Sequence, residues 1–557
     1  MEKTWLKHYP AGVPAEIDVD QYESLVGLLE DSFRKFGSRE AYSFMGKSIS
    51  FKQVDDASRA LAAYLQSIGL ERGDRVACMM PNVPQYPVAC AAILRAGLVV
   101  VNVNPLYTPR ELEHQLKDSG AKAIVILENF AMTLQQVIAN VPTKKVIVAA
   151  MGDMLGFPKG NIVNYVVRKV KKMVPAFDIA GTVRFTDALA QGRGKSYTAP
   201  KVGRDDIAVL QYTGGTTGVS KGAVLLHRNL VANLLQAEAW YQPALKKVQA
   251  GEQIVTICAL PIYHIFGFNT NMMLGMRMGG SNILIANPRD IPAVFKTLAP
   301  LKFHSFPAVN TLFNAMANHP DFGTVNWRNL IISVGGGMAV QSATAKLWLE
   351  KTGCPIVEGY GLSETSPSAS CNPVDSTAFT GTIGLPMSNT ELKLLDDDGN
   401  EVPQGTPGEI AIKGPQVMAG YWQRPDETAK VMTADGFFRS GDIGTVDARG
   451  YFKIVDRKKD MILVSGFNVY PNEVEDVLTQ MDGVLECAAV GVPDDKAGEA
   501  VKVVIVKKNP ALTEADVRAY CEKNLTGYKR PKVVEFRTEL PKTPVGKILR
   551  RELRGKG

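Results

Sequence analysis

The sequence predicts an α/β protein in which a large unit of parallel-rich sheets packed with helices precedes a smaller α+β unit. Three observations lead to this prediction. The chain has 557 residues, too many for one core, and its length suggests roughly three to four domain-sized units. From about residue 20 to residue 200, helical and strand patterns alternate, which is typical of parallel sheets covered by helices. A compact set of short elements, about 100 residues long, begins near Asp456.

Hydrophobic spacing and capping signals define the elements of the large unit. Thr108, Pro109 and Glu111 form a capping box with proline at the first helical position, which opens a helix. β-Branched runs bounded by turn residues indicate strands. The predicted helices cover residues 51–65, 86–94 and 109–116. The predicted strands cover residues 75–79, 99–103, 123–127, 207–210, 330–334 and 355–357.

The smaller unit has its own alternating pattern. Its predicted helices cover residues 473–478 and 513–525. Its predicted strands cover residues 488–492, 501–506 and 533–536. The charge run Asp456–Asp460 at its start is typical of a linker. Near the end of the chain, prolines and Gly546 form a turn that presents Lys547.

The formal net charge of +7 is concentrated at the C-terminal end. Residues 541–557 contain six basic residues and one acidic residue. This distribution favours anionic ligands or an anionic surface, and we expect no nucleic-acid partner. Seven dispersed cysteines without CxxC spacing indicate a reducing compartment and no structural metal site. A charged N-terminus and the lack of an apolar stretch of membrane length predict a cytoplasmic protein without a transmembrane helix.

Residues 161–177 combine apolar side chains at helical spacing with four basic side chains, those of Arg168, Lys169, Lys171 and Lys172. A basic amphipathic helix of this kind can lie on an anionic membrane surface. An ordinary surface helix whose apolar side packs on the core has the same pattern. The sequence leaves both interpretations open, and peripheral contact with the cytoplasmic face of the inner membrane is a hypothesis.

The most concentrated chemical signal is the segment Tyr212–Gly222, in which eight of eleven residues are glycine, threonine or serine. Apolar runs on both sides predict a strand, a loop, and then a strand or helix. Backbone N–H groups and hydroxyls of such a loop can bind phosphate oxygens, and Lys221 adds positive charge. The order Ser220-Lys221-Gly222 excludes a Walker loop, and the adjacent Gly214 and Gly215 exclude a GxGxxG dinucleotide turn. A flexible surface loop is the alternative.

Four further segments carry side chains suited to a ligand site. Residues 259–268 place His264 among aromatic side chains, which suits an apolar pocket with one polar group. Residues 335–338, three glycines and Met338 at a strand end, permit close approach of a flat ring or a phosphate, although a tight turn explains them equally well. Residues 359–365 offer an aromatic face, hydroxyls and a carboxylate suited to Mg²⁺. Asp442 follows a glycine and fits either a binding role or a turn.

Taken in order, five motifs resemble those of the adenylate-forming superfamily, which includes acyl-CoA synthetases, luciferases and the adenylation domains of peptide synthetases. They are the glycine-rich loop, Tyr360–Glu364, Ser440-Gly441-Asp442, Asp456-Arg457 and Pro544–Lys547. The resemblance extends over nearly the whole chain. Residues 101–111, 440–444, 450–460 and 464–471 are similar to those of the bacterial long-chain fatty-acyl-CoA synthetases.

The resemblance implies the two-domain fold of adenylate-forming enzymes. An N-terminal AMP-binding domain would cover residues 1–455, a hinge residues 456–460 with Lys459, and a small mobile C-terminal domain residues 461–557. The implied reaction forms an acyl-adenylate and pyrophosphate from a fatty acid and ATP, and then acyl-CoA and AMP, feeding fatty-acid degradation. Mg²⁺ is the implied cofactor, with ATP and CoA as co-substrates, and a homodimer is compatible with the resemblance.

The resemblance also implies roles for individual residues. Lys547 would bridge the carboxylate and the α-phosphate, with Thr365 and His264 as further catalytic residues, and Glu364 would bind Mg²⁺. Lys221 would hold a phosphate or stabilise its loop. The implied ATP- and AMP-binding residues are Thr213, Gly214, Gly215, Thr216, Thr217, Gly218, Ser220, Lys221, Gly335, Gly336, Gly337, Met338, Tyr360, Gly361, Ser363, Asp442 and Arg457. The implied CoA-binding residues are Ser465, Gly466 and Phe467, and the implied acyl pocket contains His264, Phe268, Val309 and Phe313.

Other functions remain as alternatives. Phe268 stands where related enzymes often have a tryptophan gate, so the sequence leaves the chain-length selectivity open. A CoA ligase for medium-chain or aryl acids is the enzymatic alternative. A membrane-associated nucleotide-binding scaffold is the non-enzymatic alternative. Such a scaffold would be expected to have replaced Lys547, Glu364 or Asp442, and the sequence contains all three.

Overall fold

Four β-sheets organise the chain in the computed structural model, which describes residues 3–213, 220–543 and 546–554. Three of these sheets lie before residue 458, and the fourth begins at Ile462. We call these two parts the large unit and the small unit. The α/β class and the parallel-rich sheets predicted from the sequence are confirmed.

A nine-stranded and an eight-stranded sheet form the centre of the large unit. Most of their inner strands run parallel, and helices connect them, because parallel neighbours require a crossover. Across the nine-stranded sheet the strands are Leu385–Pro386, Ser370–Cys371, Ile356–Tyr360, Ile332–Gly335, Ser305–Ala308, Val255–Cys258, Ser281–Leu284, Glu40–Phe44 and Lys47–Ser50. Across the eight-stranded sheet they are Gly420–Tyr421, Lys221–Leu226, Ile207–Thr213, Val99–Asn102, Arg75–Met79, Ala123–Leu127, Lys145–Ala149 and Val183–Arg184.

The two remaining sheets are mainly antiparallel. The third sheet of the large unit contains Glu391–Leu395, Gly408–Lys413, Phe438–Val446 and Phe452–Arg457. The sheet of the small unit contains Phe467–Val469, Ile462–Val464, Gly498–Lys507 and Val484–Asp494, with Val533–Arg537 parallel to Gly498–Lys507. The small unit has its own hydrophobic core.

Helices cover the sheets. The α-helices of the large unit are Leu25–Phe36, Phe51–Ser67, Gln85–Arg95, Pro109–Ser119, Ala131–Gln135, Lys159–Tyr165, Phe185–Arg193, His227–Leu245, Leu274–Met278, Ile291–Leu298, Asn310–Ala317, Ser342–Thr352 and Pro425–Val431. Wider π-helical turns cover Val166–Val170 and Gly267–Met273. The α-helices of the small unit are Pro471–Thr479 and Glu514–Asn524. Within the described ranges, no helix combines the length and the apolar character that crossing a bilayer requires.

The local signals in the sequence are reproduced closely. The Thr108 backbone N–H donates to Glu111 Oε2 at 2.8 Å, and Glu111 N–H donates to Thr108 Oγ1 at 3.4 Å, so the capping box opens the helix as predicted. The helix continues to Ser119 and ends at Gly120, which adopts a left-handed conformation. The two strands beside the glycine-rich loop form an antiparallel pair in which Thr213 faces Lys221.

The predicted helix over residues 161–177 is wrong in its second half. Helical structure covers Lys159–Tyr165 and one π turn, Val166–Val170, and the chain from 171 to 177 is not helical. Lys172 adopts a φ of +50°, which a right-handed helix cannot accommodate. The helix is therefore shorter than its apolar pattern, and its side chains are distributed differently from the prediction.

Candidate active site

A cavity of about 1640 Å³ opens between the large unit and the small unit. The strands Ile332–Gly335 and Ile356–Tyr360 both run into it, so the loops that follow them lie side by side at one edge of the nine-stranded sheet. The cavity brings together site residues predicted from distant parts of the sequence. They are Thr213, Lys221, His264, Gly336, Gly337, Met338, Tyr360, Gly361, Ser363, Glu364, Asp442, Arg457, Lys459 and Lys547.

The turn after strand Ile332–Gly335 brings bare backbone to the cavity wall. A Cβ atom on Gly336 would lie 2.8 Å from the Phe266 ring, and Gly337 adopts a φ of +77°. Glycine is required at both positions, and the wall it leaves suits close approach of a flat ring. Gly335 ends the strand and packs against Val340, where a Cβ atom would lie 2.4 Å from the valine side chain. The lack of a side chain on Gly335 therefore allows Val340 to pack against the turn.

Tyr360, Asp442 and Arg457 form a connected polar group. Tyr360 Oη donates to Asp442 Oδ2 at 2.7 Å, and Arg457 Nε lies 3.2 Å from Asp442 Oδ1. Asp442 and Arg457 face each other on adjacent antiparallel strands, which fixes their pairing. Burial raises the pKa of Tyr360 well above its usual value, so its hydroxyl stays protonated and remains a donor. The arrangement presents a carboxylate that can accept hydrogen bonds from the hydroxyl groups of a sugar.

Glu364 is buried, and its carboxylate is held by a residue that the sequence analysis missed. Tyr421 Oη donates to Glu364 Oε1 at 2.8 Å. Burial raises the pKa of Glu364. No sequence pattern pointed to Tyr421, because it lies in a two-residue edge strand far from residue 364 in sequence.

Lys221 forms an ion pair with Glu427. Its Nζ atom lies 2.6 Å from Glu427 Oε2 and 4.8 Å from the centre of the Tyr421 ring. Of the two roles that the resemblance implied for Lys221, these contacts favour stabilisation of the loop and the neighbouring helix Pro425–Val431.

The turn Ser363–Thr365 separates the two hydroxyls that the sequence offered for phosphate binding. Thr365 is fully buried, and its Oγ1 donates to Pro367 O at 2.7 Å and accepts from Leu362 N at 2.9 Å. Its hydroxyl is used inside the turn, and the catalytic role implied for Thr365 stays a prediction. Ser363 lines the cavity instead.

The ends of the glycine-rich loop are anchored at the cavity. Ser220 Oγ donates to Thr213 O at 2.7 Å, and the Ser220 carbonyl contacts His114 Nε2 at 3.0 Å. The predicted phosphate-binding residues Gly214, Gly215, Thr216, Thr217 and Gly218 lie outside the described residues.

Lys547 reaches the cavity from the small unit. A Cβ atom on Gly337 would lie 3.5 Å from Lys547 Cε. Burial and the nearby Arg457 lower the pKa of Lys547 to about 8, although Asp442 and Glu364 act in the opposite direction. The lysine is therefore mostly charged at neutral pH, and the carboxylates of Asp442 and Glu364 are near enough to act on its charge.

His264 is neutral at physiological pH. Burial and the charge of Lys547 lower its pKa to about 3. Its Nδ1 atom accepts a hydrogen bond from Phe266 N at 3.3 Å, which assigns the proton to Nε2. An Nε2–H group can donate to an anionic ligand in the cavity without adding net charge.

Part of the cavity wall is apolar, and we call this part the apolar arm. Aromatic and aliphatic side chains from the helix His227–Leu245, the segment 263–266, the strand Ile332–Gly335 and the residues flanking the strand Leu385–Pro386 form its wall. They are Ala237, Trp240, Tyr241, Tyr263, Ile265, Phe266, Val334, Ile383 and Met387. A cavity lined by both polar and apolar side chains fits a ligand with one charged end and a hydrocarbon tail.

Of the four predicted acyl-pocket residues, one lines the cavity and three do not. His264 lines the cavity, whereas Phe268 is fully buried in the core, and Phe266, two residues earlier, lines the cavity instead. Two residues along a helix point to nearly opposite sides, so the aromatic pattern alone could not choose between them. Phe313 packs 4.8 Å from Trp348 in an aromatic core. Val309 is buried beside Gly337 rather than at the cavity wall.

The predicted CoA-binding residues lie away from the cavity. Ser465 and Gly466 form the two-residue turn between the strands Ile462–Val464 and Phe467–Val469, with φ values of +51° and +85°. Positive φ at both positions is the geometry of a type I′ hairpin turn. Phe467 is exposed, and its ring stacks on Tyr528 at 4.8 Å.

Two family models match most of the chain. Residues 29–422 match the family described as AMP-binding enzyme, and residues 473–547 match the AMP-binding enzyme C-terminal domain. The chain belongs to the AMP-binding enzyme family. A long-chain-fatty-acid–CoA ligase of Escherichia coli O6:H1 is 54% identical to it over 555 residues, covering 100% of this chain and 98% of the relative. A long-chain-fatty-acid–CoA ligase of Haemophilus influenzae is 49% identical over 558 residues, again covering 100% and 98%.

Solved structures of AMP-binding enzymes have the same fold. The crystal structure of the anthranilate CoA ligase AuaEII in complex with anthranoyl-AMP superposes with a TM-score of 0.84 and 26% sequence identity. The match covers 97% of this chain and 98% of that chain. The adenylate-forming fold implied by the sequence motifs is confirmed.

Proposed function

We propose that the chain is a long-chain-fatty-acid–CoA ligase that works through an acyl-adenylate. The observation that supports this most strongly is the position of Lys547. This lysine comes from the small unit but lies in the cavity of the large unit, with Asp442 and Glu364 beside it. The same cavity includes the apolar arm. The chain's similarity to long-chain-fatty-acid–CoA ligases agrees with the chemistry of this cavity.

In the first half-reaction, a carboxylate oxygen of the fatty acid attacks the α-phosphorus of ATP, and pyrophosphate leaves. Lys547 would neutralise the charge that develops between the carboxylate and the α-phosphate. Ser363 would donate a hydrogen bond to the phosphate, and the Nε2–H of His264 would orient the carboxylate. Asp442 would accept the ribose hydroxyls, and the backbone of residues 335–338 would flank the adenine.

The residues around Glu364 fit a magnesium ion. Mg²⁺ is usually bound through one or two carboxylates together with substrate phosphates and water. One carboxylate oxygen of Glu364 accepts a hydrogen bond from the Tyr421 hydroxyl, and the other oxygen can bind a cation. Among the described residues, no three His, Cys, Asp or Glu side chains form a separate ligand set. When bound, Mg²⁺ would neutralise phosphate charge.

In the second half-reaction, the CoA sulfur attacks the acyl carbon, AMP leaves, and the thiol proton passes to solvent. The proposed domains are residues 1–455 and 461–557, with residues 456–460 as the hinge. Rotation about Lys459 would withdraw Lys547 and bring the turn of Ser465 and Gly466 to the adenylate. Their positions outside the cavity in this structure fit the orientation for the first half-reaction.

The apolar arm favours a long alkyl chain. Each methylene buried contributes roughly 0.8 kcal/mol, so kcat/KM should rise by about fourfold per carbon until the arm is filled. An aryl acid, such as the anthranoyl group of the solved relative, would leave much of the arm empty. The test is ATP- and CoA-dependent thioester formation with saturated acids of graded length and with benzoate. Highest kcat/KM for benzoate or for a short acid would overturn the proposal.

We also propose peripheral contact with the cytoplasmic face of a membrane through the surface formed by residues 157–173. Five of the eleven most exposed large apolar side chains in the described chain lie there, and Phe157 is 89% exposed. The others are Ile162, Tyr165, Val170 and Met173. Among the apolar side chains at helical spacing in residues 161–177, Val163, Val167 and Val174 pack on the core.

The charges of this surface are complementary to anionic lipids. Arg168 is paired with Glu128 at 2.8 Å, whereas Lys169, Lys171 and Lys172 are exposed beside the apolar side chains. Each exposed lysine near an anionic membrane contributes about 1 kcal/mol, so three together change affinity by roughly 100-fold.

The membrane contact can be measured by sedimentation with phosphatidylglycerol vesicles. Changing Lys169, Lys171 and Lys172 to Gln should weaken binding by roughly 100-fold. Added salt should weaken binding of the unchanged protein too. As a matched control, Gln at the exposed Lys496, Lys508 and Lys523 of the small unit should have little effect. Equal binding by both triple variants would contradict the assignment. A homodimer remains a prediction from the resemblance.

A further inference from the structure

The N-terminus of the helix Ser342–Thr352 is capped by a residue of the other unit. Asp476 Oδ1, on the helix Pro471–Thr479 of the small unit, accepts from Ser342 N at 3.0 Å and from Ser342 Oγ at 2.8 Å. The first N–H groups of a helix lack partners within the helix, and a carboxylate there also interacts favourably with the helix dipole. The contact therefore joins the two units through a capping interaction.

The large unit does not supply this cap itself. The helix begins after Gln341, whose side chain makes no capping hydrogen bond. Gln341 instead pairs with Asn310, with Asn310 Nδ2 donating to Gln341 Oε1 at 3.1 Å and Gln341 N donating to Asn310 Oδ1 at 3.0 Å. The Ser342 donors are therefore available to Asp476.

The capped helix directly follows the glycine turn of the cavity. Residues 336–341 line the cavity and lead into Ser342. Two more hydrogen bonds join the same region to the small unit. Thr311 Oγ1 donates to Gly546 O at 3.1 Å, next to Lys547, and Asn314 Nδ2 donates to Leu485 O at 2.9 Å.

We propose that Asp476 is a positioning residue that stabilises the orientation in which Lys547 occupies the cavity. This inference rests on the proposed two-step function. Rotation of the small unit would move Asp476 away from Ser342 and expose the uncapped helix end. The cap would therefore favour the first half-reaction over the second, without contact with any substrate.

The expected size of the effect follows from the two orientations. The rate of the first half-reaction is proportional to the fraction of molecules with Lys547 in the cavity, and the rate of the second to the rotated fraction. The ratio of the two rates therefore follows the equilibrium constant, whichever orientation predominates. Loss of a helix cap shifts such an equilibrium roughly five- to tenfold. Asp476→Ala should lower the ratio by this factor.

The first half-reaction is measured as fatty-acid-dependent exchange between ATP and pyrophosphate. The second is measured as thioester formation from supplied acyl-adenylate and CoA. Asp476→Asn keeps an oxygen acceptor but loses the charge, so its ratio should lie between those of the unchanged protein and Asp476→Ala. An effect on folding alone would lower both rates and leave their ratio unchanged.

Ser342→Pro tests the same contact from the other side. Proline is tolerated at the first position of a helix, and Gln341 has a ψ of 137°, which the residue before proline prefers. The substitution removes both donors to Asp476 and should lower the ratio as Asp476→Ala does. The double variant should show no further loss, because both changes remove one interaction.

The exposed Asp482 of the small unit provides the control, and Asp482→Ala should leave the ratio unchanged. An unchanged ratio in Asp476→Ala, or a changed ratio in Asp476→Ala but not in Ser342→Pro, would overturn the inference. If the unchanged protein catalyses neither half-reaction, the proposed function fails instead. The two failures are therefore distinguishable.

Discussion

The charge of Lys547 should set the upper pH limit of the first half-reaction. Burial and Arg457 lower its pKa to about 8 in the free protein. A lysine is charged below its pKa and neutral above it, so the rate should be maintained below about pH 8 and lost as pH rises through that value. Bound ATP brings negative charge, which raises the pKa, so kcat should hold to higher pH than kcat/KM.

The magnitude follows from the titration. With a pKa of about 8, roughly 90% of Lys547 is charged at about pH 7 and roughly 10% at about pH 9. We therefore expect kcat/KM for ATP to fall about tenfold across this interval. The assay is fatty-acid-dependent pyrophosphate release at low ATP concentration, followed over pH with a saturating fatty acid.

Two variants identify the titrating group. Lys547→Arg keeps its charge at every accessible pH, so the fall should disappear even if the absolute rate drops. Glu358 also lines the cavity, and burial raises its pKa to about 8, so it is the competing candidate. Glu358→Gln keeps an oxygen for the bond from Val340 N and should keep the fall. A fall that persists in Lys547→Arg, or vanishes in Glu358→Gln, would refute the role given to Lys547.

The remaining predictions concern single side chains. Lys547→Ala should slow pyrophosphate release by at least about 100-fold while thioester formation from supplied acyl-adenylate stays nearly unchanged; an equal loss in both assays would contradict this. Gly466→Leu should slow thioester formation and leave pyrophosphate release nearly unchanged. Its φ of +85° disfavours a leucine, and the residue belongs to the proposed CoA loop, which takes no part in the first half-reaction. Tyr421→Phe removes a bond to Glu364 worth about 1 kcal/mol, and the Mg²⁺ concentration for half-maximal rate should rise roughly fivefold. Arg95→Ala should lower the free energy of unfolding by about 3–5 kcal/mol, measured by denaturant titration, because the fully buried guanidinium lies 2.5 Å from the Asp55 carboxylate.

Much of the fold could be predicted because it depends on short-range patterns. The capping box at Thr108 and Glu111 involves residues three positions apart, and it opens the helix where the sequence placed it. The alternation of strands and helices also depends on residues a few positions apart, and it predicted the parallel sheets. The order of the motifs was enough to indicate the family, since each motif is a contiguous stretch of sequence.

The sequence pattern was less informative about which way a side chain points. Phe266 and Phe268 have the same chemistry and lie two residues apart, but the start of a helix turns one to the cavity and the other to the core. Ser363 and Thr365 differ in the same way, because the threonine hydroxyl is used within its own turn. The π turn and the positive φ at Lys172 likewise ended a helix that the apolar spacing had continued.

The sequence by itself determined the fold class, the order of the motifs and the family, because these follow from residues close together in the chain. Only the tertiary structure decided the partners of the site residues. Tyr421 reaches Glu364 across 57 positions, Lys221 meets Glu427 across 206, and Asp476 caps Ser342 across 134. Each pair forms because sheets and units pack together, and the distance between two residues in sequence says nothing about that packing.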